Sequence, residues 1–298
     1  MKAVVVSKYG PPEGVEIKDV EKPIPTADEI LVKIHATTVT FGDAMLRKMR
    51  LPVRLVFGLF MGGLGKNKIL GHEFAGVVET IGDTVTRFKI GDQVFGSAGM
   101  KGGAHAEYIC VPEIAMVTIK PANLTFEEAA AVPVGANTAL HILRGADIHS
   151  GSMVLVYGAS GSVGTYAVQL AKYWGAEVTT VSSTSNLDWL RELGADHTLD
   201  YTKTDFTQSG QKYDVIFDAV RKISSSKCKE SLKDNGIFLS SRSSTEENIE
   251  NLDFLKNLIE EGKLKPVIDR RYSIEEIVEA HRHVDTGRKK GNLVITIS

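Results

Sequence analysis

The sequence feature that most limits the possible folds is the segment 153–174, where a short valine-rich run is followed by three glycines and a helical pattern. The apolar run Met153–Tyr157 is typical of a buried parallel strand. Gly158, Gly161 and Gly164 follow it at spacings of three, and the residues after them carry apolar side chains at helical spacing. Strand, glycine turn and helix in this order are the setting in which a loop binds the pyrophosphate of a dinucleotide.

Each glycine of this turn has a separate predicted task. Gly158 can adopt the tight turn after the strand, and Gly161 leaves room for backbone N–H groups to approach phosphate oxygens. Gly164 allows the helix to pack closely on the strand, and the helix N-terminus adds partial positive charge. A plain structural turn is the alternative that these residues leave open. The residues predicted to contact the dinucleotide here are Gly158, Ala159, Ser160, Gly161, Ser162, Val163 and Gly164.

Composition excludes several classes of protein. The chain has 298 residues, of which 43% are hydrophobic and 24% charged, and its net charge is −2. These values are typical of a globular protein with one large or two medium domains, and they do not favour nucleic acid as a partner. Two cysteines are too few for a disulfide framework, so we expect a reducing, cytoplasmic location. The N-terminus enters a strand pattern directly, which predicts no signal peptide.

The most apolar window of the chain is residues 51–64. It contains Arg54 and has about half the length that a membrane-spanning helix needs, so we expect no membrane span. The window is predicted to be a buried helix or a wall of the active site. Contact with a membrane surface is the alternative.

The first third of the chain is rich in strand patterns separated by turn residues. The runs predicted as strands there are Leu31–Ala36, Glu73–Ile81, Gln93–Phe95 and Ala104–Val111. Frequent turn residues between them indicate a small β-barrel or sandwich and not a parallel sheet. The last strand pattern, Leu293–Ile297, returns to this character. We therefore expect the C-terminus to complete the N-terminal domain.

Strand and helix patterns alternate after Leu124. Thr125 is the expected N-cap of a helix up to Ala131, with a break at Pro133 and a second helix over Asn137–Arg144. The later predicted strands are Met153–Tyr157, Glu177–Ser182, His197–Leu199, Tyr213–Asp218 and Gly236–Ser240. The later predicted helices are 165–174, 186–193, 222–232, Asn251–Glu261 and 274–283. This alternation indicates an α/β fold with a doubly wound parallel sheet of the Rossmann type.

Short sequence blocks follow one another in a recognisable order along the chain. They are Met1–Ala3, Tyr9–Pro12, Leu70–Val78, Gly91–Gly96, Gly102–Tyr108, Ala129–Pro133 and Gly287–Gly291. Each block is weakly specific, but their order resembles the zinc-free medium-chain dehydrogenases/reductases of the quinone oxidoreductase type. The resemblance implies a chaperonin-10-like β-barrel catalytic domain at 1–123 and 264–298, a Rossmann nucleotide-binding domain at 124–263 and a cleft between them.

Zinc alcohol dehydrogenases of the wider family hold their catalytic ion with cysteine, histidine and cysteine. His72 matches the histidine, whereas Thr40 and Val134 stand near the two cysteine positions. A catalytic zinc site needs three protein ligands, so we predict no metal. His72 is then expected to be a hydrogen-bonded histidine at the start of a strand. Asp43 is either a polarising group in the cleft or the N-cap of a helix over 44–50, and we favour the N-cap.

The end of the second Rossmann strand predicts NADPH as the cofactor. An NAD site places a carboxylate there, whereas this strand ends in hydroxyl residues that can donate to a 2′-phosphate. A basic side chain is missing from 182–186, and Lys172 is taken as the candidate for this role. The resemblance adds Tyr201 beside this phosphate and Thr138 near the nicotinamide. The remaining candidate cofactor-binding residues are Ser182, Ser183, Thr184, Asn186 and Asn292.

The resemblance implies an oxidoreductase that transfers hydride from NADPH to a small, hydrophobic quinone or α,β-unsaturated carbonyl. Without a metal, acceptors that delocalise the resulting anion are favoured. The candidate cleft residues are Thr40, Asp43 and Leu51, and no specific proton donor is predicted among them. An alcohol or carbonyl dehydrogenase of the same fold and a non-catalytic NADPH sensor remain the alternatives.

Residues Ser241–Glu250 are polar and too short for the sixth strand that relatives place between the fifth strand and the next helix. Either the sheet ends at five strands, or a stretch is missing from the chain. Edge-to-edge pairing of that strand is the usual dimer contact, so its loss weakens the expectation of a homodimer.

Overall fold

The computed structural model of the protein describes residues 1–50, 53 and 68–297. The described strands are β1 (Lys2–Val6), β2 (Val15–Asp19), β3 (Glu29–Thr38), β4 (Lys68–Ile69), β5 (Glu73–Ile81), β6 (Gln93–Ser97), β7 (Tyr108–Pro112), β8 (Val117–Ile119), β9 (Met153–Tyr157), β10 (Glu177–Ser182), β11 (His197–Asp200), β12 (Tyr213–Asp218), β13 (Leu232–Ser240), β14 (Ile268–Ser273) and β15 (Asn292–Thr296). The described α-helices are α1 (Phe41–Arg47), α2 (Phe126–Ala130), α3 (Pro133–Leu143), α4 (Ser162–Tyr173), α5 (Leu187–Glu192), α6 (Ser225–Cys228), α7 (Ile249–Glu260) and α8 (Ile277–Asp285).

The chain divides into two compact units. Unit 1 takes in the described residues of Met1–Val134, Glu247–Glu260 and Ile268–Ser298. Unit 2 consists of Gly135–Glu246 and Glu261–Val267. Because β14, β15 and α8 come from the end of the chain, the C-terminus completes the unit that the N-terminus begins. The boundaries expected at 123/124 and 263/264 stay a prediction about separately folding domains.

Unit 1 is built on strands that pair antiparallel along most of its larger sheet. That sheet has the order β14-β15-β3-β5-β6-β8, with β7 also paired to β3, and a smaller sheet has the order β2-β1-β4. β14 and β15 are the parallel pair within the larger sheet. Apolar side chains from β3 and β5 alternate into a shared core, which follows from the two-residue period of a strand. The core residues include Ile30, Val32, Ile34, Phe74 and Val78.

Unit 2 contains a five-stranded parallel sheet in the order β11-β10-β9-β12-β13. Its central strands are almost entirely buried and rich in β-branched residues, as expected for a sheet covered on both faces. The next strand along the chain, β10, lies on one side of β9, and β12 lies on the other. The strand order therefore reverses at the carboxyl end of β9, where open α/β sheets bind their ligands.

Two predictions about helix starts have different outcomes. Thr125 is the N-cap of α2, and it exchanges hydrogen bonds with Glu128 in a capping box, so this prediction is confirmed. The first helix does end before Pro133, as predicted, but the predicted start of the second helix at Asn137 is wrong, because α3 begins at that proline. The first helical position needs no N–H donor, and the fixed backbone angle of proline suits it. Proline therefore starts the second helix instead of delaying it to Asn137.

The helix expected over 222–232 is present but shorter than predicted. α6 spans Ser225–Cys228 and continues as a 3-10 turn over Lys229–Ser231, and β13 begins at Leu232. The carboxylate of Asp218 accepts backbone N–H groups from Val220, Lys222 and Ile223. These bonds hold the chain in a turn after β12, so few residues remain for a helix before the next strand.

Among the described residues, the parallel sheet ends at β13, which pairs with β12 alone. The polar residues that follow it form no strand and lead directly to α7. Within the described part of the chain, no helix has the length and apolar character needed to span a bilayer.

Candidate functional site

The turn after β9 requires glycine at its first position. Gly158 has a φ angle of +77°, which residues with a side chain rarely adopt. A Cβ atom there would also lie 2.6 Å from Cγ2 of Val220 in the turn after β12. The chain reverses sharply at this point and enters α4, as the sequence pattern predicts.

Gly161 and Gly164 differ in what surrounds them. A Cβ on Gly164 would overlap the carbonyl oxygen of Gly158 and lie 2.7 Å from Cα of Ala159, so this glycine lets α4 pack on the turn. A Cβ on Gly161 would meet only that carbonyl oxygen, at 3.6 Å. Gly161 is the N-cap of α4, and no side chain caps this N-terminus. The first-turn N–H groups of Ser162, Val163 and Gly164 are therefore not capped by a side chain, and such groups can bind an anion such as phosphate.

Thr138 lies on α3 near the same turn. A Cβ on Gly135, one helical turn before Thr138, would overlap Oγ of Ser162, so α3 packs directly against the start of α4. Residues three apart share a helix face, which places Thr138 on this side of α3. Most residues of α3 are buried, whereas Thr138 keeps partial exposure. The structure thus brings a predicted nicotinamide contact beside the predicted pyrophosphate loop.

The polar residues at the end of β10 are close together in the chain, but they differ in exposure and in the hydrogen bonds they already make. Oγ of Ser182 is buried and has no hydrogen-bond partner among the described residues. Ser183 and Thr184 are more exposed. Asn186 is buried, and its side-chain amide already bonds to Oγ of Ser183 and to Nε1 of Trp189. The amide of Asn186 therefore shapes this loop.

An acidic side chain that the sequence reasoning missed reaches this loop from the neighbouring strand. Asp200 pairs in register with Ser182, and its carboxylate accepts hydrogen bonds from Oγ1 of Thr184 at 2.5 Å and Oγ1 of Thr202 at 2.6 Å. These bonds lower the pKa of Asp200 to about 2. Its oxygens are occupied by threonines, so this carboxylate orients the Thr184 hydroxyl. In the sequence, this carboxylate could have been found from Asp200, which precedes Tyr201 and ends β11, the third strand of the parallel sheet in chain order.

The basic side chain near this loop is Lys203 and not Lys172. Nζ of Lys172 binds both carboxylate oxygens of Asp196, at 2.8 and 2.9 Å. Asp196 also accepts the backbone N–H of Val178 at the start of β10, the end of the strand away from Ser182. Nζ of Lys203 lies 3.7 Å from Oδ2 of Asp200, the oxygen to which Thr184 also donates. Tyr201 is 54% exposed beside it.

In unit 1, Thr40 and Asp43 form one hydrogen-bonded pair at the start of α1. Thr40 is the N-cap, and Asp43 occupies the third helical position of a capping box. The prediction that Asp43 is the N-cap is therefore wrong. Thr40 can cap because its extended backbone turns its hydroxyl toward the N–H of Asp43, whereas Asp43 already has helical geometry.

Asp43 is a fully buried carboxylate. Its Oδ2 accepts hydrogen bonds from the backbone N–H and the hydroxyl of Thr40, and its Oδ1 accepts the N–H of Gly71 at 2.9 Å. Burial raises the pKa of this carboxyl, but the nearby His72 and His105 and the bonds from Thr40 outweigh burial and hold it at about 2. Asp43 is thus a fixed negative charge inside unit 1.

His72 stands beside this charge. Its Nδ1 lies 2.9 Å from the carbonyl oxygen of Gly99, which confirms the prediction of a hydrogen-bonded histidine before β5. Its Nε2 lies 3.7 Å from Oδ1 of Asp43. Burial lowers the pKa of His72, but the Asp43 carboxylate, the bond to Gly99 and the carboxyl groups of Glu247 and Glu73 together outweigh it, and the pKa is raised above its usual value. The side chain keeps 17% exposure, so the ring is not sealed from solvent.

A second buried carboxyl follows His72 directly. Glu73 accepts hydrogen bonds from Oγ1 of Thr38 and, at 2.7 Å, from the N–H of Val134 in the first turn of α3. Burial raises the pKa of Glu73 despite these bonds. Burial also lowers the pKa of Lys289 to about 8, although Glu73 and Asp269 oppose that shift. Neither Glu73 nor Lys289 was predicted as a site residue, because nothing in their local sequence shows the surroundings that shift their pKa values.

The donor set in this part of unit 1 does not fit a zinc ion. Thr40 supplies a hydroxyl that is bonded to Asp43, and Val134 supplies no donor side chain. The described residues contain no cluster of three or more histidine, cysteine, aspartate or glutamate side chains that could hold a metal. We derive no step through a metal ion.

The other predicted site residues are placed as follows. Leu51 lies outside the described residues, as does most of the apolar window around it. Asn292 is buried in unit 1, where it begins β15. Its assignment to the cofactor stays a prediction.

Known protein families match both parts of the chain. Residues 26–121 match the alcohol dehydrogenase GroES-like domain, and residues 162–264 and 238–295 match two families described as zinc-binding dehydrogenase. The expected fold class, a Rossmann sheet with a GroES-like catalytic domain, is confirmed by these matches together with the observed sheets.

Individual relatives extend over the whole chain. A 2-methylene-furan-3-one reductase of Solanum lycopersicum is 35% identical, covering 99% of this chain and 79% of the relative. An NADPH-dependent alkenal/one oxidoreductase of Arabidopsis thaliana is 31% identical with the same coverage. The solved structure of a quinone oxidoreductase from Coxiella burnetii has a TM-score of 0.87 at 28% identity, covering 100% of this chain and 99% of the other.

Proposed function

We propose, from the premise that this chain belongs to the quinone oxidoreductase type of the medium-chain dehydrogenases/reductases, that it reduces quinones or α,β-unsaturated carbonyls with NADPH. The observation that carries the proposal is the turn after β9. Gly161 is open there, α4 has no side-chain cap, and the strand order reverses at this point. These are the features by which a Rossmann sheet holds a dinucleotide.

The residues of unit 2 would hold the cofactor in three places. The backbone N–H groups of 162–164 would bind the pyrophosphate, and Thr138 on α3 would lie toward the nicotinamide end. The hydroxyls of Ser183 and Thr184 face the adenosine ribose. When bound, a dihydronicotinamide supplies a hydride, which carries two electrons and one proton to the acceptor. The protein contributes orientation and the exclusion of water.

The charged groups near the end of β10 favour NADPH over NADH. A 2′-phosphate requires donors and a cation, whereas a free 2′-hydroxyl requires an acceptor. At the end of β10 the nearby carboxylate, Asp200, is saturated by threonine donors, and the Thr184 hydroxyl and the Lys203 ammonium approach one of its oxygens. We assign Lys203 as the cation beside the 2′-phosphate and Tyr201 as the exposed ring that flanks it.

An apolar acceptor fits the surface around the start of α1. Phe41 is 62% exposed and Met45 is 46% exposed. They are four residues apart, so both lie on one face of the helix that Thr40 caps. A flat quinone or an enone can cover such side chains with favourable burial of apolar area. Thr40 is proposed as a site residue on this surface and Asp43 as the buried carboxylate bonded to it, and Leu51 remains a predicted third.

The test is a comparison of wild-type protein with Gly161→Val. Wild-type protein is expected to bind NADPH and to oxidise it with 1,4-benzoquinone-type or enal acceptors, with and without EDTA. Gly161→Val is expected to fold normally, because a Cβ there would make only an ordinary contact at 3.6 Å with the carbonyl oxygen of Gly158, and to lose NADPH binding by calorimetry. Unchanged NADPH affinity in a folded Gly161→Val variant would refute the assignment of the turn.

The two alternatives give different outcomes in the same assay. An alcohol or carbonyl dehydrogenase would oxidise NADPH only with unactivated ketones or aldehydes and would lose that activity in EDTA. A sensor protein would bind NADPH without consuming it in a broad acceptor panel. A cytoplasmic location and a homodimer stay predictions. The free thiols of Cys110 and Cys228 support the first, and the open edge of β13 gives the second a surface.

A further inference from the structure

We infer that His72 is the proton donor of the reaction, giving the proton on its Nε2 to the substrate anion, with Asp43 as the residue that positions and charges the imidazole. This inference rests on the proposed function, because it assigns the second half of that reaction. Sequence reasoning placed no proton donor and treated His72 as structural. The geometry of unit 1 gives it a chemical task.

The two nitrogens of His72 have different surroundings. Nδ1 donates to the carbonyl oxygen of Gly99, which fixes the ring orientation and leaves Nε2 as the nitrogen that exchanges protons. Nε2 makes no hydrogen bond within the described part of the chain, and its nearest charged partner is Oδ1 of Asp43 at 3.7 Å. A proton on Nε2 is therefore attracted by the carboxylate but not captured by it.

Nε2 also lies beneath a small residue. A Cβ on Gly42 would be 3.7 Å from Nε2 and from Cδ2 of His72, and 3.3 Å from Oγ1 of Thr40. Gly42 is partly exposed and lies between the exposed Phe41 and the buried Asp43. A small molecule lying on the Phe41 face of α1 would thus be close to both the Thr40 hydroxyl and the His72 proton.

The charges around the ring favour the protonated form. The Asp43 carboxylate is held in place by Thr40 and Gly71, so it cannot turn away from the imidazole. Glu247 and Glu73 also face His72 and raise its pKa, while burial opposes them. His105, which packs near Asp43 and has a lowered pKa, adds no lasting positive charge. A raised pKa increases the fraction of His72 that is protonated at neutral pH and can therefore donate a proton.

The proton from His72 completes a reduction by two electrons. A bound dihydronicotinamide would supply the hydride that adds to the β-carbon of the α,β-unsaturated carbonyl, and the electron pair of the C=C bond would move to form an enolate. The N–H bond at Nε2 of His72 breaks, and its proton forms an O–H or C–H bond on that enolate. The imidazole is left neutral and takes up a proton from solvent. The substrate gains two electrons and two hydrogens, and the nicotinamide is oxidised by two electrons.

Acceptors differ in their need for this proton. An enolate is a strong base and reverts unless it is protonated, whereas a hydroquinone anion is delocalised over its ring and persists in water. Loss of the donor should therefore impair enone reduction much more than quinone reduction. This difference separates a proton donor from a residue that only supports the fold.

The experiment measures kcat with an enone and with a quinone for wild type, His72→Asn and the control His35→Asn, whose ring stacks on Phe126 in unit 1. His72→Asn is expected to lose about 10²-fold in kcat with the enone, the usual contribution of a general acid, while its quinone kcat changes little. His35→Asn should behave as wild type with both acceptors.

A second measurement is independent of turnover. NMR titration of ring-labelled histidine should place the pKa of His72 above its usual value in wild type and lower in Asp43→Asn. The fall of enone kcat with rising pH should move to lower pH in the same variant.

Two results would contradict the assignment of His72 but leave the proposed function intact. One is an equal enone kcat in wild type and a folded His72→Asn variant. The other is a His72 pKa that is the same in wild type and in Asp43→Asn. If wild-type protein oxidises NADPH with neither acceptor, the proposed function fails and the assignment fails with it.

Discussion

In unit 2, the surroundings of Gly161 and Lys203 indicate whether a single residue is available to a ligand or is held by structural contacts. A Cβ on Gly161 would make only an ordinary contact with the carbonyl oxygen of Gly158, so the proposed role of this glycine is to leave room for a ligand. Lys203 has an exposed side chain near Asp200, whereas Lys172 is tied to Asp196 at the opposite end of β10. Charge alone does not distinguish these lysines, but their partners do.

Lys203→Ala is expected to weaken NADPH binding by about tenfold, because a charge-assisted contact of this kind is worth about 1.4 kcal/mol or more. NADH affinity should be unchanged, since NADH lacks the 2′-phosphate. The measurement is the Kd of both nucleotides by calorimetry or fluorescence.

Lys172→Ala is the matched control for this variant, because it also removes one lysine but at the far end of the sheet. Parallel losses for NADPH and NADH in Lys203→Ala, or a larger NADPH loss in Lys172→Ala, would contradict the assignment of Lys203.

At the scale of elements, the position of α4 depends on contact between its first turn and the turn after β9. A Cβ on Gly164 would overlap the carbonyl oxygen of Gly158. The oxygen belongs to the backbone and the Cβ is bonded directly to the backbone, so neither atom can rotate away. The overlap can therefore be relieved only if α4 moves away from β9. The same helix start is the proposed phosphate site, so packing and binding depend on one contact.

Gly164→Ala should lower the free energy of unfolding by about 2 kcal/mol, as over-packing of a dense site typically does. Gly161→Ala, three residues earlier, should change it by less than about 0.5 kcal/mol, the usual range for substitutions without new contacts. Urea denaturation followed by circular dichroism measures both. Equal stability of the two variants would show that α4 tolerates a side chain at Gly164.

Helix α2 offers a separate test of local stabilisation in unit 1. Thr125→Ala removes the side-chain half of the capping box with Glu128 and should cost about 1 kcal/mol of stability. Thr125→Ser keeps the hydroxyl and should stay close to wild type. The midpoint of denaturant unfolding distinguishes them, and a Thr125→Ala variant as stable as Thr125→Ser would contradict the capping argument.

At the scale of the whole molecule, buried ionisable groups tie stability to pH. His281 in α8 is fully buried, and neither ring nitrogen has a hydrogen-bond partner among the described residues. Burial lowers the pKa of His281 from 6.5 to about 3, assisted by the neighbouring His105. Between these pH values the unfolded chain binds a proton there and the folded chain does not. The free energy of unfolding must therefore fall as the pH falls below about 6.5.

His281→Leu should remove this part of the pH dependence. From pH 7 to pH 4 the wild-type protein should lose on the order of 3 kcal/mol more stability than the variant, since each pKa unit corresponds to about 1.4 kcal/mol. Denaturant unfolding at several pH values gives the two slopes. Parallel slopes would show that His281 is protonated in the folded protein.

This chain has fewer residues than an aligned relative, which agrees with the number of strands described in its parallel sheet. The alignment with the tomato reductase runs over 324 positions, although this chain has 298 residues, so the relative carries additional residues within the aligned region. In the described residues the parallel sheet ends at β13, where relatives were expected to continue with a sixth strand. The polar segment after β13 is the place where the sequence predicts this difference.

The sequence by itself determined the glycine turn, the alternation of strands and helices in unit 2 and the return of the C-terminus to the β-rich unit. These features follow from local spacing, since strand and helix periods and turn glycines act over a few residues. Only the tertiary structure decided which side chains meet. Thr184 meets Asp200 across 16 residues, and Asp43 meets Gly71 across 28, because sheet register and helix packing join them. Burial of Asp43, Glu73 and His281 arises in the same way, so their shifted pKa values and the placement of His72, the proposed proton donor, beside Asp43 are properties of the assembled fold.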